Sequence, residues 1–125
     1  VILDTNAVSA WAEQNPAALG LIEAQPILCL PVIVLGEFRF GLHGSRKRSM
    51  LEPQLDFLEQ TVRVLEITRE TAVVYAAVRF ELKQRGKPIP ENDVWIAALA
   101  RQHGFPIMSQ DAHFDAVPGV RRWSW

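Results

Sequence analysis

Apolar side chains are arranged along this chain in two alternating patterns: short solid runs of three to five residues, and longer stretches in which they recur every three or four positions. The first kind reads as strands buried on both faces, the second as amphipathic helices. "VIL" at the start, "PILCL" at 26–30, "VRVLEI" at 62–67 and "PIMS" at 106–109 are strand candidates, and "VRRWSW" at 120–125 puts Trp123 and Trp125 on one side, as an edge strand would. Between them lie helices predicted over 7–13 and 16–24, separated by "QNP", and over 31–42, with Pro31 at the first helical position and Gly41 and Gly44 closing it. Residues 47–60 continue helically with Pro53 as a kink or restart. Thr68 caps a long helix with Ala72, Tyr75, Ala76 and Phe80 on its apolar face and Gly86 at its end. "KPIP" then leads into a helix over 91–103 that Gly104 stops. Short apolar strands separated by helices imply a parallel sheet covered on both faces, so the fold class is α/β, a three-layer α/β/α sandwich with about five short, mostly parallel strands.

Length and composition narrow this picture. At 125 residues the chain suits a single domain, and 49% hydrophobic with 22% charged residues describes an ordinary globular protein. No apolar run approaches the roughly 20 residues that span a bilayer. The start shows no export signal, and its lack of Met suggests a processed or trimmed end. Cys29, the only cysteine, excludes an intrachain disulfide; both facts fit a reducing cytoplasm. The formal charge of −1 argues weakly against a nucleic-acid partner, but four acids withdrawn into a metal site would leave +3. The concentrated sources of that charge are Arg46, Lys47 and Arg48, then Lys83, Arg85 and Lys87, which read either as solvated helix ends or as a phosphate-binding surface.

Where the acids fall matters more than their number. "VILD" and "PIMSQD" share one design, an apolar strand whose carboxyl end delivers small polar residues and an acid, Asp4 in one and Asp111 in the other. Ligands in open α/β sheets bind in the crevice outside those strand ends. Counting by three and four from Val34 puts Glu37 on a helix face otherwise apolar, where an unpaired charge is costly. The same count from Asp93 reaches Ile96, Ala97 and Ala100, so this acid also points inward. A helix cap is the competing reading for Asp4, and a favourable first-turn dipole contact the competing reading for Asp93. If all four converge, no basic residue at a fixed spacing neutralises them. Such an oxygen-rich set suits Mg²⁺ or Mn²⁺, while His43, His103 and His113 show no zinc spacing.

"LDTN" near the start, "GEFRFG" in the first third, "NDVWIAALA" in the last third and "SQDAHFDAVPGV" near the end resemble PIN-domain proteins, specifically the VapC-type toxins of bacterial toxin–antitoxin pairs. The resemblance spans essentially the whole chain, 1–125, in the right order. Carried over residue by residue, Asp4, Glu37, Asp93 and Asp111 match the family's acidic metal-site positions, and Thr5, Asn6 and Ser109 its polar neighbours. It implies a Mg²⁺- or Mn²⁺-dependent endoribonuclease held inactive by a VapB-type antitoxin. It also makes a homodimer plausible, with the helices around 32–60 as contact. The rival reading is an inert PIN-like or receiver-like α/β module that holds Mg²⁺ structurally and acts through protein contacts. A receiver-like site would want a Lys after a late strand, and none follows Lys87.

Overall fold

The alternation of solid and periodic apolar segments produces twelve elements in the computed structural model, which describes residues 1–125. In chain order they are β1 (Ile2–Leu3), α1 (Thr5–Ala12), α2 (Pro16–Glu23), β2 (Cys29–Pro31), α3 (Val32–His43) and α4 (Arg48–Thr61). There follow β3 (Arg63–Leu65), α5 (Arg69–Gln84), α6 (Glu91–His103), β4 (Ile107–Met108), a 3-10 helix (Ala112–Ala116) and β5 (Arg122–Trp123). All five strands form one parallel sheet in the order β3-β2-β1-β4-β5. Ile2, Leu3, Leu30, Ile107 and Met108 have no exposed surface, as central strands covered on both faces require. β3 and β5 are the edges, and there Arg63 is exposed and Trp123 half-buried.

The order has a functional consequence. From β1 the chain steps one way to β2 and β3, then α5 and α6 carry it back across the sheet to β4 on the other side of β1. Right-handed crossovers in opposite directions place helices on opposite faces, α1 to α4 on one and α5 with α6 on the other. The reversal falls between β1 and β4, so the residues after Leu3 and Met108 open onto the switch-point crevice where α/β sheets bind ligands. Receiver-like sheets run 2-1-3-4-5, and the observed order rules out that alternative.

Three local expectations are corrected. The second strand is Cys29–Pro31 rather than 26–30: Pro26 cannot donate to a ladder and Ile27 is 47% exposed, whereas Pro31 pairs with Leu65 and stands at the N-cap of α3, one residue before its first turn. Pro53 restarts no helix: α4 runs through it, with Pro53 sixth of its fourteen residues, and Leu55 and Leu58 beyond it anchor the helix in the core. α5 presents a different face from the one predicted: Thr71, Val78 and Leu82 are buried, and Phe80 is 59% exposed. Its amino-terminal turn is held by reciprocal bonds between Thr68 and Thr71, and the Thr71 hydroxyl donates to Gln102 Oε1 of α6 at 2.7 Å. That contact sets the rotation. Gly104, at φ 72°, ends α6 as predicted in a left-handed conformation that favours glycine.

Candidate metal centre

Asp4 occupies the N-cap position of α1, yet its carboxylate makes no capping bond. It turns instead to the crevice, 5% exposed, where Oδ2 accepts the Ser109 hydroxyl at 2.7 Å and the Asn6 amide at 3.4 Å. Burial pushes its carboxyl above the ordinary aspartate range; the Ser109 bond opposes this, and the charges of Asp93 and Glu37 add to it. Asn6 also donates to Ser109 Oγ at 3.1 Å and accepts the Gln110 backbone N–H at 3.2 Å, stitching the end of β1 to the end of β4.

Glu37 projects from the middle of α3. Its Oε2 accepts the Thr5 hydroxyl at 3.1 Å, while Oε1 is buried with no hydrogen-bond partner. Buried polar atoms are seldom left this way. Asp93, in the first turn of α6, also makes no cap; its side chain, 15% exposed, has Oδ2 at 3.1 Å from His113 Nδ1. Burial raises the Asp93 carboxyl too; the His113 bond opposes this, and Asp111 and Glu37 add to it. Asp111 follows β4, its Oδ1 accepting the His113 backbone N–H at 2.9 Å and lying 3.0 Å from His113 Nδ1. Of the four predicted acids, Asp93 and Asp111 come closest together, and Asp4 and Glu37 lie near enough for their charges to act on Asp93 and on each other, with Thr5, Asn6 and Ser109 holding these latter two.

His113 is the residue that sequence reasoning missed. A basic side chain does partner the acids, contrary to expectation: Nδ1 of His113 and carboxylate oxygens of Asp93 and Asp111 all lie within 4.8 Å of one another. Its bond to Asp93 holds the imidazole pKa above its ordinary value. "DAH" carried the signal, since a turn just after a strand returns the second residue beyond Asp111 toward it. The donor set suits a divalent cation, and the orphaned Glu37 Oε1 is an acceptor that such a cation would satisfy, so these residues fit a divalent metal.

From Thr5 and Glu37 a groove of about 350 Å³ runs between α1, α3 and α4 and reaches Lys47 by way of Phe38 and Gly41. Within the first basic cluster Lys47 alone lines this groove. Arg46 is exposed, and Arg48 is engaged with Glu52 at 3.2 Å and His43 at 3.4 Å. Lys83, Arg85 and Lys87 are exposed at the carboxyl end of α5 and in the turn beyond, where cations also favour the helix dipole.

The PIN-domain family profile matches residues 1–120. VapC ribonuclease Y4jK of Sinorhizobium fredii is 35% identical over 121 residues, covering 89% of this chain and 86% of that protein. Ribonuclease VapC5 of Mycobacterium tuberculosis is 30% identical over 121 residues, covering 95% and 88%. Among solved structures, FitAcB of Neisseria gonorrhoeae superposes with a TM-score of 0.82 at 27% identity over 98% of this chain and 95% of that one. VapBC2 of Rickettsia felis, solved with a promoter DNA fragment, matches in fold with a TM-score of 0.88 at 23% identity over 99% and 97%. With its sheet order, its acidic crevice and these relatives in agreement, the chain belongs to the PIN-domain family, among its VapC-type members.

Proposed function

We propose that this chain is a divalent-cation-dependent endoribonuclease, the toxin of a toxin–antitoxin pair, acting in the cytoplasm and held inactive by a VapB-type antitoxin. Its substrate is RNA, with tRNA and rRNA as candidate targets, and it acts as a homodimer. The observation that carries the reading is the buried, unpartnered Glu37 Oε1 among three further acids at the switch-point crevice. Relatives named as ribonucleases support the chemistry, and solved assemblies of VapB with VapC, such as that of Rickettsia felis, support the partner.

A bound Mg²⁺ or Mn²⁺ supplies positive charge for the phosphoryl oxygens and makes water a better nucleophile. The rest belongs to the chain. Asp4, Asp93 and Asp111 would hold the cation, and Glu37 would have Oε1 free for it because Thr5 occupies the other oxygen. Ser109 and Asn6 keep the Asp4 carboxylate from rotating. Lys47 provides the positive charge for an RNA phosphate in the groove beside Glu37, with Arg46, Arg48 and the Lys83, Arg85 and Lys87 cluster further out.

Purified Asp4→Asn, Glu37→Gln and Asp93→Asn variants should each lose RNA cleavage while staying folded. The parent should also gain about 1.4 kcal/mol, about 5 °C in melting temperature, at Mn²⁺ about ten times its Kd, and each variant should lose most of that response. Cleavage at the parent level by any of the three, with contaminating nuclease excluded, sinks the assignment.

A further inference from the structure

His113 is held more firmly than its 49% exposed side chain suggests. Its backbone N–H is tied to Asp111 Oδ1 at 2.9 Å, and the next side chain, Phe114, is fully buried. Two residues on, Asp115 grips Arg122 through two bonds of 2.9 Å, and Arg122 Nη1 donates to the Ser109 carbonyl at 3.1 Å. The short 3-10 helix is thereby pinned on both sides of the imidazole, and Nδ1 comes to rest 3.0 Å from Asp111 Oδ1 and 3.1 Å from Asp93 Oδ2. Adjacent ligands of an octahedral cation with bonds of about 2.1 Å stand about 3.0 Å apart, so Nδ1 already has the spacing of a neighbouring ligand from each carboxylate oxygen, and one donor atom from each of the three residues lies within 4.8 Å of the others.

We propose that His113 is itself a ligand of the centre, its Nδ1 joining Asp93 and Asp111 on one divalent cation, so that the site prefers first-row transition cations such as Mn²⁺ over Mg²⁺. This rests on the metal-dependent reading above. Nitrogen is the deciding donor: Mg²⁺ takes oxygen ligands and gives up water reluctantly, whereas transition cations accept imidazole readily. A purely acidic site would discriminate between them much less. The His113 ring proton then resides on Nε2, leaving the Nδ1 lone pair for the cation.

The test uses the full chain freed of cations by chelator. Mn²⁺ binding is read from loss of the free-ion electron paramagnetic resonance signal, with Mg²⁺ affinity obtained by competition, and pulsed measurements on the bound ion read any ¹⁴N coupling. The parent should show ¹⁴N coupling. His113→Gln should abolish it and weaken Mn²⁺ binding about tenfold or more while Mg²⁺ affinity moves less than about threefold. His43→Gln and His103→Gln should change neither. Melting curves in chelator establish that the variant is folded, and His113→Asn serves as a second replacement. Bound Mn²⁺ without ¹⁴N coupling in the parent, coupling that persists in His113→Gln, or equal losses for Mn²⁺ and Mg²⁺ would overturn the proposal and leave His113 as a clamp between two carboxylates. A parent that binds no Mn²⁺ at all would instead remove the metal-dependent reading, and this inference with it.

Discussion

Ser109 donates its hydroxyl proton to Asp4 Oδ2 at 2.7 Å, across the seam where β1 and β4 lie side by side. Its Oγ in turn accepts the Asn6 amide at 3.1 Å and the Asp111 backbone N–H at 2.9 Å. One donor and two acceptor positions are all that a hydroxyl has, and here each is used. A fully buried serine thus orients one acid directly and the strand-end turn that carries another.

Ser109→Ala should therefore cost roughly 1–3 kcal/mol, because it strips a partner from a buried carboxylate and leaves the Asp111 N–H unpaired. Denaturant melts in chelator would read that loss. A purely structural effect would stop there, whereas a positioning role predicts weaker Mn²⁺ binding as well, and unchanged cation affinity in the folded variant would exclude it.

Acid stability should depend on a pair far from the crevice. Arg101 of α6 holds Glu81 of α5 through hydrogen bonds of 2.6 and 3.3 Å and also donates to the Pro118 carbonyl. The Arg101 bond keeps the Glu81 carboxyl below its ordinary value of 4.5. A depressed carboxyl contributes stability above its unfolded pKa, and that contribution disappears as pH falls through the folded value. Glu81→Gln should therefore melt below the parent at about pH 7, and the two curves should converge as pH falls well below the ordinary carboxyl value of 4.5. A gap of constant size across that range would show that packing rather than charge links the helices.

RNA affinity should divide the basic cluster unevenly. Lys47 lines the groove shared with Thr5 and Glu37, whereas the Arg48 guanidinium is committed to Glu52 and His43. In a cleavage-deficient Asp93→Asn background, Lys47→Ala should weaken single-stranded RNA binding and reduce the slope of log K against log salt by about 0.7 for each phosphate that is no longer neutralised. Arg48→Ala should do less. Equal effects, or an unaltered slope for Lys47→Ala, would place the phosphate path elsewhere.

Much of this architecture is legible in the order of the residues alone. Solid apolar runs that end in an acid, as in "VILD" and "PIMSQD", can be buried as parallel strands only with the acid at the mouth of the sheet, and helical spacing around Glu37 and Asp93 turned both inward. Those are local relations, carried by side-chain periodicity, and the sequence determined them by itself. It could not decide whether Asp4 caps a helix or faces a crevice, because its choice of Ser109 as partner depends on a residue 105 positions away. It also indicated the wrong face of α5, because packing on α6 and the Thr71–Gln102 bond chose the one carrying Thr71, Val78 and Leu82. His113 lies only two residues past Asp111, but its partner Asp93 is 20 residues back, and the two meet because buried Phe114 and the Arg122–Asp115 pair fold the 3-10 helix onto α6. Pairings of that range depend on which surfaces exclude water together, a property of the packed chain that no window of sequence contains.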